Sequence, residues 1–280
     1  MLVNERIEFI VDWIKGYSDK VKFNPVSLII GVSGGVDSAV ASTLSAKTKL
    51  KTIAVSMPIR QNSEQHHLSL QHLEWLKSKY NNVETKIIEL DHVFNSFEKE
   101  MSEYENKLAF ANSRSRLRMI TLYNLAHKVA GCVGSTDNFS ELAAGFWTLH
   151  GDVGDIAPIQ SLNKSWEVPM LAKMLDVPQA TVDAVPTDGL GISNSDADQL
   201  GMSYLEFDIA LFELLSLPRL DKNTIELYIN SITDLKVNKK LTLVANRVAS
   251  TTFKRFNPYN LNHPIFNDRF NLLETLDRSL

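Results

Sequence analysis

The chain has a single cysteine, Cys132, in 280 residues. That excludes an internal disulfide framework and any paired-cysteine metal site. Its neighbours Ala130 and Val133 mark a buried strand thiol, which fits a reducing, cytoplasmic setting. The histidines include an adjacent pair, His66 and His67, but form no HxxxH or HExxH pairing, so no zinc signature is present. No run approaches the ~18 apolar residues of a membrane-spanning helix. Neither sign of charge dominates. With 29 basic and 33 acidic side chains the net charge is −4, and no basic field points to nucleic acid. Internal repeats and low-complexity tracts are absent, as are the GxxxxGK[ST] and GxGxxG phosphate loops. The first residues, Met1 to Arg6, mix both charge signs with apolar side chains. They read on through Trp13 and Ile14 as an amphipathic helix rather than a signal peptide.

What remains is an ordinary globular composition, 44% hydrophobic and 22% charged, with a sharp local feature near its start. Leu28, Ile29, Ile30 and Val32 form an apolar strand around Gly31. Ser33-Gly34-Gly35-Val36-Asp37-Ser38 follows as a tight loop, and a helix continues from it. Two glycines let the backbone approach a ligand closely, and the helix aims free N–H groups and its positive dipole end at the loop. Such a nest binds phosphate. The competing reading is a plain strand-to-helix turn in which Asp37 and Ser38 cap the helix.

Further strands are expected at 52–57, 83–90 and from Cys132, with a short fifth at 156–159. Helices are expected between them at 40–47, 66–80, 93–101 and 112–129, and again at 139–148. The alternation implies an α/β fold, a doubly wound parallel five-stranded sheet with helices on both faces. Beyond residue 160 the pattern turns helical. The chain reads as a single domain, 1–280, with an N-terminal helix over 1–24 and a helical C-terminal extension over 203–280. Gly189, Gly191, Ser193, Asn194 and Ser195 mark a long loop of the kind that serves as a lid. Ligands of such sheets sit at the carboxyl ends of the strands, where the first loop and the segment after the fourth strand meet.

Two more clusters carry chemistry. Asn112 is placed to cap the long helix, and Arg114 and Arg118, four apart, share a face while Arg116 points elsewhere. Cations in a first turn oppose the helix dipole, so a bound polyanion would compensate them; a solvated basic turn is the alternative. Past the fourth strand, Asp137, Glu141, Asp152 and Asp155 gather within 19 residues. Glu141 joins Asp37 as a candidate pair for Mg²⁺, which takes one or two carboxylates plus substrate phosphates. Asp152 is placed to orient or deprotonate an amine nucleophile, and Lys164 to reach phosphate as a point charge. Helix caps and turns would use the same residue types.

Together these stretches resemble the NAD synthetase family of the N-type ATP pyrophosphatases. SGGVDSA at 33–39 is similar to its pyrophosphate loop, and ANSRSRLRM at 111–119 to its N-x-x-A-R-x-R-M signature. TDNFSE at 136–141, GFWTLHGDVGDI at 145–156, LNK at 162–164, the segment 186–204 and TFKRFNP at 252–258 follow in the family's order. The resemblance implies an adenine nucleotide alpha hydrolase-like fold and a homodimer. The implied reaction is adenylation of the deamido-NAD carboxylate by ATP, then attack by ammonia to release AMP. It places Gly31, Ser33, Gly34, Gly35, Val36, Asp37, Ser38, Arg118, Thr136 and Lys164 on ATP, and Asp37 and Glu141 on Mg²⁺. It gives catalytic work to Asp37, Asp152 and Lys164. Arg116, Asp137, Leu149, His150, Asp155 and Lys254 fall on the acceptor. About two dozen residues precede the first strand, so free ammonia rather than glutamine is the expected nitrogen source. Five positions depart from the pattern. Leu149 stands for a lysine, His150 for an aromatic, Ser135 for a glycine and Phe253 for a histidine, and Val153-Gly154-Asp155 is a shortened G-G-x-D. They fall mainly on the acceptor half, which leaves nicotinate mononucleotide, or another carboxylate, as the alternative substrate. A tRNA-modifying pyrophosphatase fits the balanced charge and the lone cysteine less well. A non-catalytic nucleotide binder fits the retained Asp37 and Glu141 less well.

Overall fold

The computed structural model describes residues 3–20, 27–185 and 196–255. Helix α1 (Val3–Lys20) leads into β1 (Ser27–Gly31), α2 (Val36–Lys47), β2 (Thr52–Ser56), α3 (Ser63–Lys79) and β3 (Val83–Ile87). Then come α4 (Asp91–Glu100), α5 (Lys107–Lys128), β4 (Gly131–Gly134) and α6 (Phe139–Ala144). The remaining helices are α7 (Glu167–Met174), α8 (Gln179–Val182), α9 (Asp196–Leu200), α10 (Tyr204–Leu215), α11 (Lys222–Ser231), α12 (Leu235–Ser250) and α13 (Thr252–Arg255).

The strands form one parallel sheet in the order β3-β2-β1-β4. Alternation along each strand sends side chains to opposite faces. Leu28 and Cys132 pack under α1, α2 and α7, while Ile29, Ile53, Val55 and Val133 pack under α4 and α5. Both faces are covered, as the apolar strands require. A third core joins α6, α10, α11 and α12 through Phe207, Leu211, Leu241 and Val244. The chain runs outward from β1 to β3, then returns to place β4 on the other side of β1. The crevice between the carboxyl ends of β1 and β4 is therefore the topological switch point.

Four expectations are corrected. The sheet has four strands, not five: Ile156 makes only one parallel bridge, to Gly134. The edge of β4 is instead covered by a short loop. Asp155 Oδ2 accepts from Val133 N at 2.8 Å, and the Ser135 and Asp155 amides donate to Ile156 O and Val133 O. Pro158, two residues on, offers no amide to extend the ladder. Helix α5 begins five residues before Asn112, because Asn106 caps it by accepting from Ala109 N at 2.9 Å. Arg114, Arg116 and Arg118 thus lie inside the helix, and the dipole argument for a compensating anion falls away. Helix α6 stops at Gly145 rather than 148. Gly145 adopts the left-handed conformation (φ 62°), and its amide and that of Phe146 satisfy the last carbonyls. A Cβ there would meet Thr251 at 2.3 Å. The expected lid at 186–195, residues 21–24 of the N-terminal helix and the C-terminal stretch 256–280 lie outside the described residues. Among the described residues no helix is long and apolar enough to cross a membrane.

Candidate active site

A cleft of about 640 Å³ opens at the switch point. Its floor is the loop from Gly31 to Ser38. The loop is braced from within: Ser33 N donates to Ser38 Oγ at 3.2 Å, Ser38 Oγ donates to Gly35 O at 2.9 Å, and Gln61 Nε2 donates to Ser33 O at 2.8 Å. Gly34 holds φ +97°, and a Cβ at that position would lie 2.3 Å from Gln65 O. Only glycine fits both conditions. Gly35 caps α2 without a side-chain bond, so the first amides of α2 meet the cleft with no side chain competing for them.

Beside the loop lies a buried ionic cluster. Lys164 Nζ donates to Asp37 Oδ2 at very short range and to Glu141 Oε1 at 3.1 Å. Asn138, fully buried, ties the same carboxylates together. Its Nδ2 donates to Asp37 Oδ1 at 2.9 Å, its N donates to Glu141 Oε2 at 3.3 Å, and its Oδ1 accepts from Glu141 N at 3.0 Å. Asn138 and Glu141 thus form a capping box at the start of α6, and the Glu141 side chain also reaches the cleft. Burial raises the Glu141 pKa, with Lys164 pulling the other way and Asp37 adding to the rise. Burial alone would lower the pKa of Lys164, but the charges of Asp37 and Glu141 outweigh it and hold the ammonium strongly charged. Two carboxylate oxygens thus already converge on one cation. That donor set suits a divalent ion completed by substrate phosphates. Among the described residues no group of three or more His, Cys, Asp or Glu forms a self-sufficient metal site.

The cleft carries further charges. Arg118 is half-buried, donates Nε to Met57 O at 2.9 Å, and has its pKa lowered to about 10 by desolvation, then by Arg114. Asp137 accepts from Gln160 Nε2 at 2.7 Å through Oδ2, while its buried Oδ1 has no partner among the described residues. Burial pushes its pKa up to about 6. Asp152 is half-buried, accepts from Thr148 N, and likewise has its pKa raised by desolvation. Lys254 reaches in from α13, donating to the carbonyls of Gly145 (2.6 Å) and Trp147. Thr136 lines the cleft as well.

All ten residues expected on ATP line the cleft, and so do Glu141, Asp137, Asp152 and Lys254. Arg116, Leu149, His150 and Asp155 do not. Arg116 donates Nε to Leu149 O at 3.1 Å, Leu149 is half-buried, and His150 is exposed in the left-handed region (φ 62°). Asp155 serves β4 and accepts from Tyr123 OH at 3.0 Å. These four residues, which the resemblance sets on the acceptor, lie off this cleft. The cleft also gathers Gln61, Gln65, Trp147, Asp196 and Arg247, which sequence reasoning missed. Gln61 was recoverable from its place just past the carboxyl end of β2. Arg247, near the end of a helix about 100 residues after α6, gives no local signal.

Comparison with known proteins places this geometry. The NAD synthase family matches residues 6–258 of the chain. The chain belongs to the NAD synthase family. The NH(3)-dependent NAD(+) synthetase of Mesoplasma florum is 35% identical over 216 residues, covering 75% of this chain and 85% of that protein. The corresponding protein of Thermoplasma acidophilum is 36% identical over 190 residues, 66% and 76% of the two chains. Among solved structures, an NMN synthetase from Francisella tularensis aligns with TM-score 0.72 at 28% identity, covering 94% of this chain and 99% of that one. An NH3-dependent NAD synthetase from Campylobacter jejuni aligns with TM-score 0.72 at 26% identity, covering 94% and 100%. This NAD synthase-family chain is thus about as similar in fold to a mononucleotide enzyme as to a dinucleotide one.

Proposed function

We propose that the chain is an ammonia-dependent ligase that converts deamido-NAD to NAD. ATP adenylates the pyridine carboxylate and expels pyrophosphate; ammonia then attacks the acyl carbon, forming the C–N bond and releasing AMP. The observation that carries this reading is the braced Ser33–Ser38 loop beneath uncapped α2 amides, beside Asp37, Glu141 and Lys164, in a chain of this family. The amides and Ser33, Gly34, Gly35 and Ser38 hold phosphate oxygens, and Arg118 and Thr136 border the nucleotide. Asp37 and Glu141 would hold Mg²⁺, which when bound neutralises phosphate charge as pyrophosphate leaves. Asp152 and Asp137, both lining the cleft with raised pKa values, are suited to take a proton from the attacking ammonia. Lys254 supplies positive charge on the acceptor side. A homodimer in the cytoplasm is part of the same reading and rests on the family resemblance.

One observation favours a second acceptor, nicotinate mononucleotide. The Francisella NMN synthetase matches this fold as well as a dinucleotide enzyme does. The test is AMP and pyrophosphate formation with saturating ATP and ammonia, comparing deamido-NAD with nicotinate mononucleotide. Higher kcat/KM with deamido-NAD is expected. Preference for the mononucleotide would transfer the assignment to it, and release of ADP in place of AMP would refute both.

A further inference from the structure

Lys164 and the carboxylates beside it carry two assignments that conflict while the cleft holds no nucleotide. The ammonium is assigned to phosphate and the carboxylates to a metal, yet they bind each other. Every carboxylate oxygen of the pair is occupied: Oδ1 of Asp37 and Oε2 of Glu141 by Asn138, Oδ2 of Asp37 and Oε1 of Glu141 by the one ammonium. The two oxygens on the ammonium are the ones free of Asn138, and so the ones a divalent ion would take.

We propose that Lys164 is an internal stand-in cation. It holds the Asp37–Glu141 pair while the cleft lacks nucleotide, and yields that place to the divalent ion only when a nucleoside triphosphate arrives to receive its ammonium. The inference rests on the cleft being the ATP site. Three features support an exchange rather than a fixed salt bridge. First, charge: two carboxylates and one ammonium sum to −1, and a dication added beside a retained ammonium meets a like charge at contact distance in a buried site. Second, anchorage: the Lys164 backbone is pinned, its N donating to Ser140 Oγ at 2.9 Å, so the motion needed is confined to the flexible side chain. Third, direction: Lys164 and the α2 amides line the same cleft, so rotation of that side chain carries the ammonium toward the phosphate position without leaving the cavity. The Tyr204 ring, 5.5 Å from Nζ, backs the ammonium on the carboxylate side. Metal entry and nucleotide entry are thereby coupled. Without triphosphate the carboxylates are already satisfied; with it, one exchange satisfies the phosphates, the metal and the lysine together.

The test measures Mn²⁺ binding to the full chain without nucleotide, by electron paramagnetic resonance and calorimetry. The wild type is expected to bind Mn²⁺ weakly. Lys164→Met is expected to bind it about tenfold tighter or more, and the double variant Lys164→Met/Glu141→Gln to fall back toward the wild type. Wild-type binding as tight as that of Lys164→Met would overturn the exchange. Should Lys164→Met not fold, the wild type alone still decides. The Asn138 side-chain amide adjoins Asp37, so Mn²⁺ at the carboxylates broadens its NMR signal. No broadening is expected without nucleotide, and full broadening with α,β-methylene-ATP. Broadening without nucleotide overturns the proposal, as does an analogue that binds by calorimetry yet leaves Asn138 sharp. An analogue that does not bind at all would instead refute the ATP-site reading on which the exchange rests.

Discussion

Asp137 shows what burial does to one carboxylate on the acceptor side of the cleft. Its pKa is pushed up to about 6 by burial, against the pull of the Gln160 hydrogen bond. A carboxyl raised above its unfolded value weakens the fold where it must ionise: the penalty is absent below about pH 4, grows through the interval to about 6, and stays above it. Asp137→Asn keeps an acceptor for Gln160 and removes the charge. Relative to wild type it is expected to gain about 1–3 kcal/mol on going from pH 4 to pH 8, while losing activity. Urea denaturation at the two pH values reads this directly, and an equal effect at both would show that Asp137 ionises freely. Leu149 makes the opposite point. The resemblance sets a cation there, but its side chain does not line the cleft, whereas Lys254 does. Leu149→Lys is therefore expected to leave the KM for deamido-NAD within about twofold. Lys254→Met should raise it about tenfold or more, the effect of losing one charge-assisted contact. A large improvement from Leu149→Lys would mean that the 147–152 segment turns its side chains inward on binding.

The elements that frame the cleft depend on their ends. Asn106, not Asn112, caps α5, and the two asparagines are separable by mutation. Asn106→Ala should cost about 1 kcal/mol of stability with kinetics unchanged. Asn112→Ala removes the acceptor of Thr148 Oγ1 (2.8 Å) and should act instead on the acceptor KM, through the 147–152 segment. Equal stability losses without a kinetic difference would contradict that division. This is also where the sequence was least legible. The apolar strands, the glycine loop and its helix announce themselves locally, because strand period, positive φ and the uncapped helix start all act within a dozen residues. The start of α5 was hidden because two asparagines, six residues apart, are equally good caps by type; Asn106 caps the helix, and Asn112 accepts from Thr148 instead. The fifth strand failed for a similar reason. Ile156 has the right chemistry for a strand, but Asp155 turns inward to take the Val133 amide and leaves one bridge. At the site, the residues that the resemblance sets on ATP all line the cleft, most of them from strand ends and the turn after β1. Motif spacing missed Arg247, and Arg116, Leu149, His150 and Asp155 lie off the cleft, because helix packing and loop turns decide which side chains on those segments face inward.

At the scale of the whole molecule, two structural units share one cleft. The sheet, through β1, β4 and the turn into α2, forms the side proposed for phosphate; the helical core of α6, α10, α11 and α12, with α13, closes the other. Within the second unit, α12 and α13 are tied to the end of α6, whose last carbonyls accept from distant arginines. Arg247 Nε donates to Ala144 O at 2.8 Å, and Arg255 Nη1 to Leu142 O and Ala143 O, each at 3.1 Å. These bonds fix where α13 lies, and with it Lys254. The sheet loop does not depend on them, since its bracing is internal. Removing Arg255 should therefore separate the two halves of the site. Arg255→Ala removes the arginine donor from Ala143 O and leaves Leu142 O with the Gly145 amide, a loss of about 1–3 kcal/mol felt where α13 meets α6. The expected outcome is a rise in acceptor KM of about tenfold, with the affinity for α,β-methylene-ATP unchanged within about twofold. Steady-state kinetics give the first quantity and calorimetry the second. If ATP-analogue affinity fell in step with the acceptor, the helical unit would be shaping the phosphate loop as well, and the division of labour between sheet and helices would be wrong.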